Sequence, residues 1–236
     1  METHRFEQGE TILISKPYKW TSFDVVAKLR SLIREHAHIK KIKIGHAGTL
    51  DPLATGLLIV CTGKFTRRIT EYQGLEKEYT GVFRLGATTP SFDLESGIDR
   101  EYPFEHLQPE QIEDAVRKLS GTYEQLPPRF SAKKIQGRRA YNYARKNEEV
   151  EIKKRLITVS GFEITQVKLP YLCFRISCSK GTYIRAIARD LGEMLNCGAH
   201  LTELCRIRIG PYHLKDAWEM ENISRLLSGE NNLQTL

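Results

Sequence analysis

The run from Gly45 to Leu58, which reads GHAGTLDPLATGLL, constrains this chain more than any other stretch. Its single carboxylate, Asp51, lies among small and apolar residues and directly precedes Pro52. Proline suits the first turn of a helix, and aspartate is favoured just before it, so the pattern predicts that Asp51 caps a helix. Backbone N–H groups at a helix start also favour an ionised carboxylate, the form that attacks an electrophilic carbon. Asp51 is therefore both a candidate cap and a candidate nucleophile.

The same run resembles the signature of the bacterial tRNA pseudouridine-55 synthases. Three later stretches resemble further signatures of that family in the same order: Leu126–Arg145, Ser179–Gly192 and Cys197–Gly210. With them, the resemblance extends from about Thr11 to Leu227.

The resemblance implies an α+β fold, the pseudouridine synthase fold, with a long, mixed, mostly antiparallel sheet surrounded by helices and RNA-binding loops. Alternating or apolar runs at Thr11–Ile14, Glu76–Leu85 and Tyr171–Ser177 predict strands. Thr21 and Ser22 are predicted to cap one helix, and another is predicted at Pro109–Leu119, where acids lie early and bases late. This mixture of helices and strands agrees with an α+β class.

The resemblance also implies a single catalytic domain over residues 1–236. Family members usually continue into a small RNA-binding domain of the PUA type. Only a few polar residues follow the last predicted helix, Asp216–Leu227, so we expect that domain to be absent.

The activity that the resemblance implies is isomerisation of a uridine in the T-loop of tRNA, at position 55, to pseudouridine. Asp51 is the implied nucleophile, at either the sugar or the base. Arg185 is expected beside Asp51, to orient and ionise it, and Tyr79 is expected to stack on the base. From the residues alone, Arg185 also fits a surface base of a helix, and a tyrosine such as Tyr79 is more often a cross-strand packing residue. No cofactor or metal is expected, because substrate and product are isomers.

The resemblance also places several residues near the RNA. His46 is expected beside the flipped nucleotide, although without the motif it is an ordinary loop histidine. Lys16 fits the family pattern, but Ser15 stands where an aspartate is usual, and a lone lysine before a proline is more often a surface residue. The full set of expected substrate-binding residues is His46, Tyr183, Leu204, Lys16, Lys134, Arg139 and Arg145.

The net charge of +7 is concentrated in one segment. Residues 127–155 contain ten lysines and arginines and three acids, so bases and acids balance in the remainder of the chain. Aromatic residues are interleaved with these bases, and Arg139–Arg145 is predicted to form a short helix. Such a segment suits a polyanion such as the T-arm of tRNA, although it also fits an ordinary solvated face.

The composition of the chain argues against a membrane protein, a secreted protein and a zinc protein. No apolar run is long enough to span a membrane, and the N-terminus has no apolar signal core. Five cysteines, an odd number without a Cys-x-x-Cys pair, predict reduced thiols in a cytoplasm and no zinc site. Two alternatives remain open. One is a guide-RNA-dependent pseudouridine synthase subunit that needs protein partners, although we expect no obligate protein partner for this chain. The other is a non-catalytic tRNA-binding or folding protein.

Overall fold

The apolar run Leu57–Cys61 lies in a strand that is buried on both faces. In the computed structural model, which describes residues 6–36, 39, 41–129, 134–135, 138–139 and 152–228, this strand is β3 (Thr55–Thr62). Leu58 and Val60 face one apolar cluster, while Leu57, Ile59 and Cys61 face another. The alternation of the pleat explains why a continuous apolar run suits a strand covered on both sides.

The chain divides into two compact units, and β3 belongs to the first, which comprises Met1–Lys77 and Cys205–Leu236. Its strands are β1 (Thr11–Lys16), β2 (Ile44–His46), β3, the end of β12 (Ala199–Ile209), β13 (Tyr212–His213) and β14 (Trp218–Glu219). Their order is β14-β1-β3-β12, with β2 paired to β3 and β13 to β12. Strand β1 is antiparallel to β3, whereas β12 runs parallel to it.

The helices of this unit are α1 (Ser22–His36), α2 (Ile69–Gly74) and α5 (Met220–Ser228), with 3₁₀ turns at Gly63–Arg68 and Leu214–Asp216. Thr21 caps α1, as the sequence predicts: its hydroxyl accepts from the Asp24 N–H at 3.0 Å, and the Asp24 carboxylate accepts from the Thr21 N–H at 2.8 Å. Helix α1 packs its apolar side, which includes Val25, Leu29 and Ile33, into the same cluster as Leu58 and Val60.

The second unit comprises Glu78–Leu204. Its strands are most of β4 (Lys77–Leu85), β5 (Ala87–Thr88), β6 (Arg100–Glu101), β7 (Gly121–Gln125), β8 (Lys134–Ile135), β9 (Arg138–Arg139), β10 (Arg155–Lys168), β11 (Tyr171–Cys178) and the start of β12. The main order is β12-β4-β11-β10-β7. Its helices are α3 (Pro109–Lys118) and α4 (Ile184–Met194).

The α+β class is confirmed, and so are the strands around Thr11–Ile14, Glu76–Leu85 and Tyr171–Ser177 and the helix that begins at Pro109. The last helix was predicted too early. Trp218 pairs with Ile14 of β1, which draws that backbone into a strand, and α5 begins only at Met220. Arg139 was also wrongly predicted to start a helix, since it pairs with Lys134 in an antiparallel ladder; residues 140–145 lie outside the described residues.

Among the described residues, no helix is both long enough and apolar enough to cross a membrane.

Candidate active site

Asp51 lies in a turn and not at a helix start. The Ala54 N–H donates to the Asp51 carbonyl at 3.1 Å, which closes a four-residue turn, and β3 begins at Thr55. The helix prediction was wrong because the backbone angle of Pro52 suits the second position of a β-turn as well as the first turn of a helix. We call residues 47–54 the Asp51 loop. The Asp51 side chain is partly exposed, while Leu50 beside it is buried.

Ser22 fixes the residue that precedes Asp51. Its hydroxyl accepts from the Leu50 N–H at 2.9 Å and lies 3.3 Å from the Leu50 carbonyl, to which it donates. Ser22 is itself buried at the first residue of α1. A capped helix therefore holds the backbone on the N-terminal side of Asp51.

Lys16 holds the other side of Asp51. Its side chain is 0% exposed, and its Nζ donates to the carbonyls of Pro17 at 2.9 Å, of Trp20, and of Pro52 at 3.3 Å. Burial lowers the pKa of Lys16 to about 8, with Asp51 opposing the shift and Arg206 adding to it. Lys16 is thus no surface residue, and in this structure its ammonium binds backbone carbonyls near Asp51, where the sequence pattern suggested a substrate contact.

Sequence reasoning missed Arg206, although it ends the fourth family-like motif. This residue lies on β12 opposite Gly56 of β3 and is 1% exposed. Its Nε donates to the Leu57 carbonyl at 2.8 Å, and its Nη2 donates to the Gly48 carbonyl at 3.1 Å. Every residue has a backbone carbonyl, so the sequence does not show which carbonyls Arg206 binds. The arginine itself was the only sequence feature that could have indicated these hydrogen bonds.

His46 precedes the Asp51 loop at the end of β2, paired with Val60. Burial, and secondarily the nearby Arg206 cation, lowers the pKa of His46, so the imidazole is neutral at neutral pH. Its Nδ1 is buried and has no hydrogen-bond partner among the residues that the structure describes.

In the second unit, Arg185 lies at the second residue of α4 and is 3% exposed. Its Nη1 donates to the Ser91 carbonyl at 3.1 Å, and its Nε lies 3.4 Å from the Asp93 carboxylate. Asp93 is also buried and accepts from the Glu95 N–H at 2.9 Å. The surface-base interpretation of Arg185 is therefore wrong. Asp51 belongs to the first unit, so its expected pairing with Arg185 stays a prediction.

The segment that receives Arg185, residues 89–96, is held by its own hydroxyl groups. The Ser91 and Ser96 hydroxyls lie 2.6 Å apart, and each accepts from the other residue's N–H. The Thr89 hydroxyl donates to the Asp93 carbonyl at 2.7 Å. We call residues 89–96 the Asp93 loop.

Tyr183 stands just before α4, where the buried amide of Gln125 holds its backbone. The Gln125 Oε1 accepts from the Tyr183 N–H at 2.9 Å, and the Gln125 Nε2 donates to the Tyr183 carbonyl at 3.1 Å. Gln125 is a second residue that the sequence analysis missed, because glutamine at a strand end carries no motif.

Each of the remaining predicted site residues that the structure describes lies in a strand. Tyr79 lies in β4 and is 9% exposed, and Leu204 lies in β12 and is partly buried. Lys134 and Arg139 lie in the β8–β9 ladder, where the structure describes only their backbones. Arg145 lies outside the described residues.

Comparison with known proteins identifies the family. A family model described as the TruB family pseudouridylate synthase N-terminal domain matches residues 34–184, and one described as the tRNA pseudouridylate synthase B C-terminal domain matches residues 185–235. This chain belongs to the TruB family. The predicted family is therefore confirmed.

The curated relatives of this TruB-family chain match it over nearly their whole length. A tRNA pseudouridine synthase B of Phocaeicola vulgatus is 53% identical over 94% of both chains. One of Flavobacterium johnsoniae is 52% identical over 92% of this chain and 95% of its own.

Solved structures support the fold. A chain in the crystal structure of a Cbf5–Nop10–Gar1 complex is 24% identical, with a TM-score of 0.70 over 93% of this chain and 54% of its own. One in an archaeal box H/ACA sRNP Nop10–Cbf5 complex is 23% identical, with a TM-score of 0.68 over 96% of this chain and 56% of its own. The chain thus spans just over half the length of these neighbours, and at such identities they establish the shared fold alone.

Proposed function

We propose that this protein isomerises uridine to pseudouridine in tRNA. The observation that carries the proposal is the Asp51 loop, a family motif whose single carboxylate is partly exposed at a turn fixed by the buried side chains of Lys16 and Ser22. A rigid, pre-positioned nucleophile is what a covalent route requires. The full-length relatives named tRNA pseudouridine synthase B support the same substrate.

The proposed reaction exchanges one glycosidic bond for another. The bond between C1′ and N1 breaks, a bond between C1′ and C5 forms, the C5 hydrogen leaves as a proton and N1 gains a proton. The composition of the nucleotide is unchanged, so the chemistry needs neither a cofactor nor an energy source. Asp51 is the proposed nucleophile, at C1′ or at the base, and Arg185 and Tyr79 are the other proposed catalytic residues.

The proposed target is the uridine at position 55 in the T-loop. A base in a folded loop must leave its stack before C1′ and C5 can be reached together. His46, Tyr183 and Leu204 are proposed to contact the displaced nucleotide. His46 is partly exposed, and its imidazole is neutral at neutral pH.

The decisive experiment uses purified protein, no partner proteins, and a tRNA transcript labelled with tritium at C5 of uridine. Formation of the C1′–C5 bond displaces that tritium into water, so we expect release of one equivalent per transcript. The matched control is a transcript whose T-loop uridine is replaced by cytidine, which should release none. No release from the first transcript would reject the proposal. Release only after guide RNA and proteins are added would favour a guide-dependent subunit instead.

The basic segment at residues 127–155 is the proposed contact to tRNA phosphates. We expect the combined replacement of Lys133, Lys134, Arg138 and Arg139 to weaken binding of all RNAs alike. Each lost phosphate contact should flatten the plot of log affinity against log salt by roughly 0.7–0.9. An unchanged slope would show that these side chains form an ordinary solvated surface.

A further inference from the structure

Arg206 binds the backbone on both sides of Asp51, within the Asp51 loop and in β3. Gly48, whose carbonyl accepts from Nη2, lies on the N-terminal side of Asp51, and Leu57, whose carbonyl accepts from Nε, lies on its C-terminal side. Because a guanidinium is planar and its donors are fixed in direction, the two bonds set the separation between these carbonyls. The strand on which Arg206 lies is paired with β3, so the attachment point is itself held.

The glycines of the motif make room for this arrangement. At Gly56 the φ angle is +102°, and a Cβ there would lie 2.4 Å from the Arg206 carbonyl oxygen and 2.7 Å from its nitrogen. At Gly48 the φ angle is +104°, a conformation that glycine adopts at little cost. The spacing of glycines in the motif therefore follows from the approach of the Arg206 backbone and from the turn that presents the Gly48 carbonyl.

The charge of Arg206 also acts on the neighbouring groups. A guanidinium keeps its proton at any physiological pH, so this site holds a permanent buried cation. That cation lowers the pKa of both His46 and Lys16, in each case as a smaller cause than burial. Arg206 is too deeply buried to meet RNA, which excludes a direct phosphate contact.

We propose that Arg206 is a positioning residue for the isomerisation, which holds the Asp51 loop in its reactive conformation by tying the Gly48 and Leu57 carbonyls together. The inference rests on the proposed function. Arg206 acts through the backbone of the loop and not through contact with the nucleotide.

The test compares Arg206→Lys and Arg206→Met with wild type in tritium release from tRNA. Lysine keeps the charge but has one donor centre, so it cannot reproduce two bonds of fixed direction. We expect kcat to fall roughly tenfold to a hundredfold in Arg206→Lys and further in Arg206→Met, with KM within about threefold, because binding is untouched and geometry is lost.

The matched control is Arg208→Lys, two residues along β12. Arg208 also donates to a backbone carbonyl, that of Gly210 at 3.1 Å, and to Glu76 at 2.7 Å, and both of these partners lie outside the Asp51 loop. We expect its kcat to stay within about twofold of wild type. An equal loss in both lysine variants would overturn the inference, because it would reflect general damage to β12.

A second measurement does not depend on activity. The Leu50 N–H donates to the Ser22 hydroxyl and the Ala54 N–H donates to the Asp51 carbonyl, so hydrogen exchange at these two amides reports how firmly the loop is held. We expect exchange at least about tenfold faster in Arg206→Lys, with unchanged exchange in α3. Unchanged exchange at both loop amides would overturn the inference even if Arg206→Met fails to fold. If wild type releases no tritium, the proposed function fails, and exchange alone decides whether Arg206 holds the loop.

Discussion

The Asp51 loop and the Asp93 loop are both held by a buried arginine, but the two arginines donate to different groups. Around the Asp51 loop, Arg206 donates to backbone carbonyls, and Lys16 does the same. At the Asp93 loop, Arg185 lies against a buried carboxylate as well as a carbonyl. Carbonyl dipoles solvate a buried cation without cancelling its charge, whereas a carboxylate neutralises it. Two cations thus bind the backbone around the Asp51 loop, whereas the Asp93 loop contains a balanced pair.

The largest expected effect comes from the carboxylate of the Asp51 loop. Asp51→Asn keeps the size of the side chain and removes the charge and the nucleophile. We expect tritium release to fall by at least about a hundredfold. The affinity for tRNA should stay within a few-fold, since a negative charge does not attract RNA. Filter binding at fixed salt measures affinity, and turnover above about a percent of wild type would remove Asp51 from the mechanism.

Arg185→Lys tests the balanced pair. A guanidinium reaches the Asp93 carboxylate and the Ser91 carbonyl in two directions, which a single ammonium does not reproduce. We expect kcat to fall roughly tenfold to a thousandfold, equivalent to about 1.4–4 kcal/mol. The control is Arg175→Lys, an exposed arginine paired with Glu78, which should be neutral. A normal kcat in Arg185→Lys would show that the reaction does not use its guanidinium.

Lys16, a buried cation whose ammonium binds backbone carbonyls, should give the stability of the protein a pH dependence. Its pKa is about 8 in the folded chain and near 10.4 when unfolded, so between these values the unfolded state binds more protons. The free energy of unfolding therefore rises with pH across this window, by up to about 1.4 kcal/mol per pH unit. We expect chemical denaturation at pH 7.5–9.5 to show this slope in wild type and not in Lys16→Met. The variant Lys28→Met, at an exposed lysine, should keep the wild-type slope. Loss of the slope in Lys28→Met would show that the pH dependence does not come from Lys16.

The smallest effect is expected at Gln125, whose side-chain amide is bonded to the Tyr183 backbone before α4. Gln125→Leu leaves the Tyr183 N–H and carbonyl without this partner, and we expect unfolding to become easier by roughly 1–3 kcal/mol. Gln125 holds the backbone two residues before Arg185 and does not bind Arg185 through these bonds, so we expect kcat to fall only several-fold. Gln73→Leu, at an exposed glutamine, is the control for thermal and denaturant unfolding. Equal stability of the two variants would show that the Gln125 amide is dispensable.

Local signals in the sequence predicted much of the fold. Alternation over residues 76–85 predicted β4, and Pro109, with acids early and bases late, predicted α3. The same kind of signal misled at Asp51, because an Asp-Pro pair suits a β-turn and a helix start equally well, and only the nearby start of β3 decides between them. Trp218 was misassigned because its pairing with Ile14 lies far away in the chain.

The motifs of the sequence suggested candidate site residues but not the side chains that support them. The roles of Asp51 and Arg185 stay predictions, and the burial of Arg185 agrees with a role inside the protein. The tasks of Lys16, Arg206 and Gln125 could not be predicted, because their partners are backbone groups, which every residue carries. Such partners become visible only when the fold brings them within hydrogen-bonding distance.

The bonds from Arg206 to Leu57 and to Gly48 of the Asp51 loop span 149 and 158 residues of sequence. During synthesis the N-terminal part of a chain emerges first, so Asp51 is made long before its tether. Contacts of such long range also form late, because the chain must first close a large loop. The Asp51 loop therefore reaches its final shape only after the last part of β12 has left the ribosome and joined β3. A nascent chain carries the carboxylate early but remains without an organised site until most of the protein has been made.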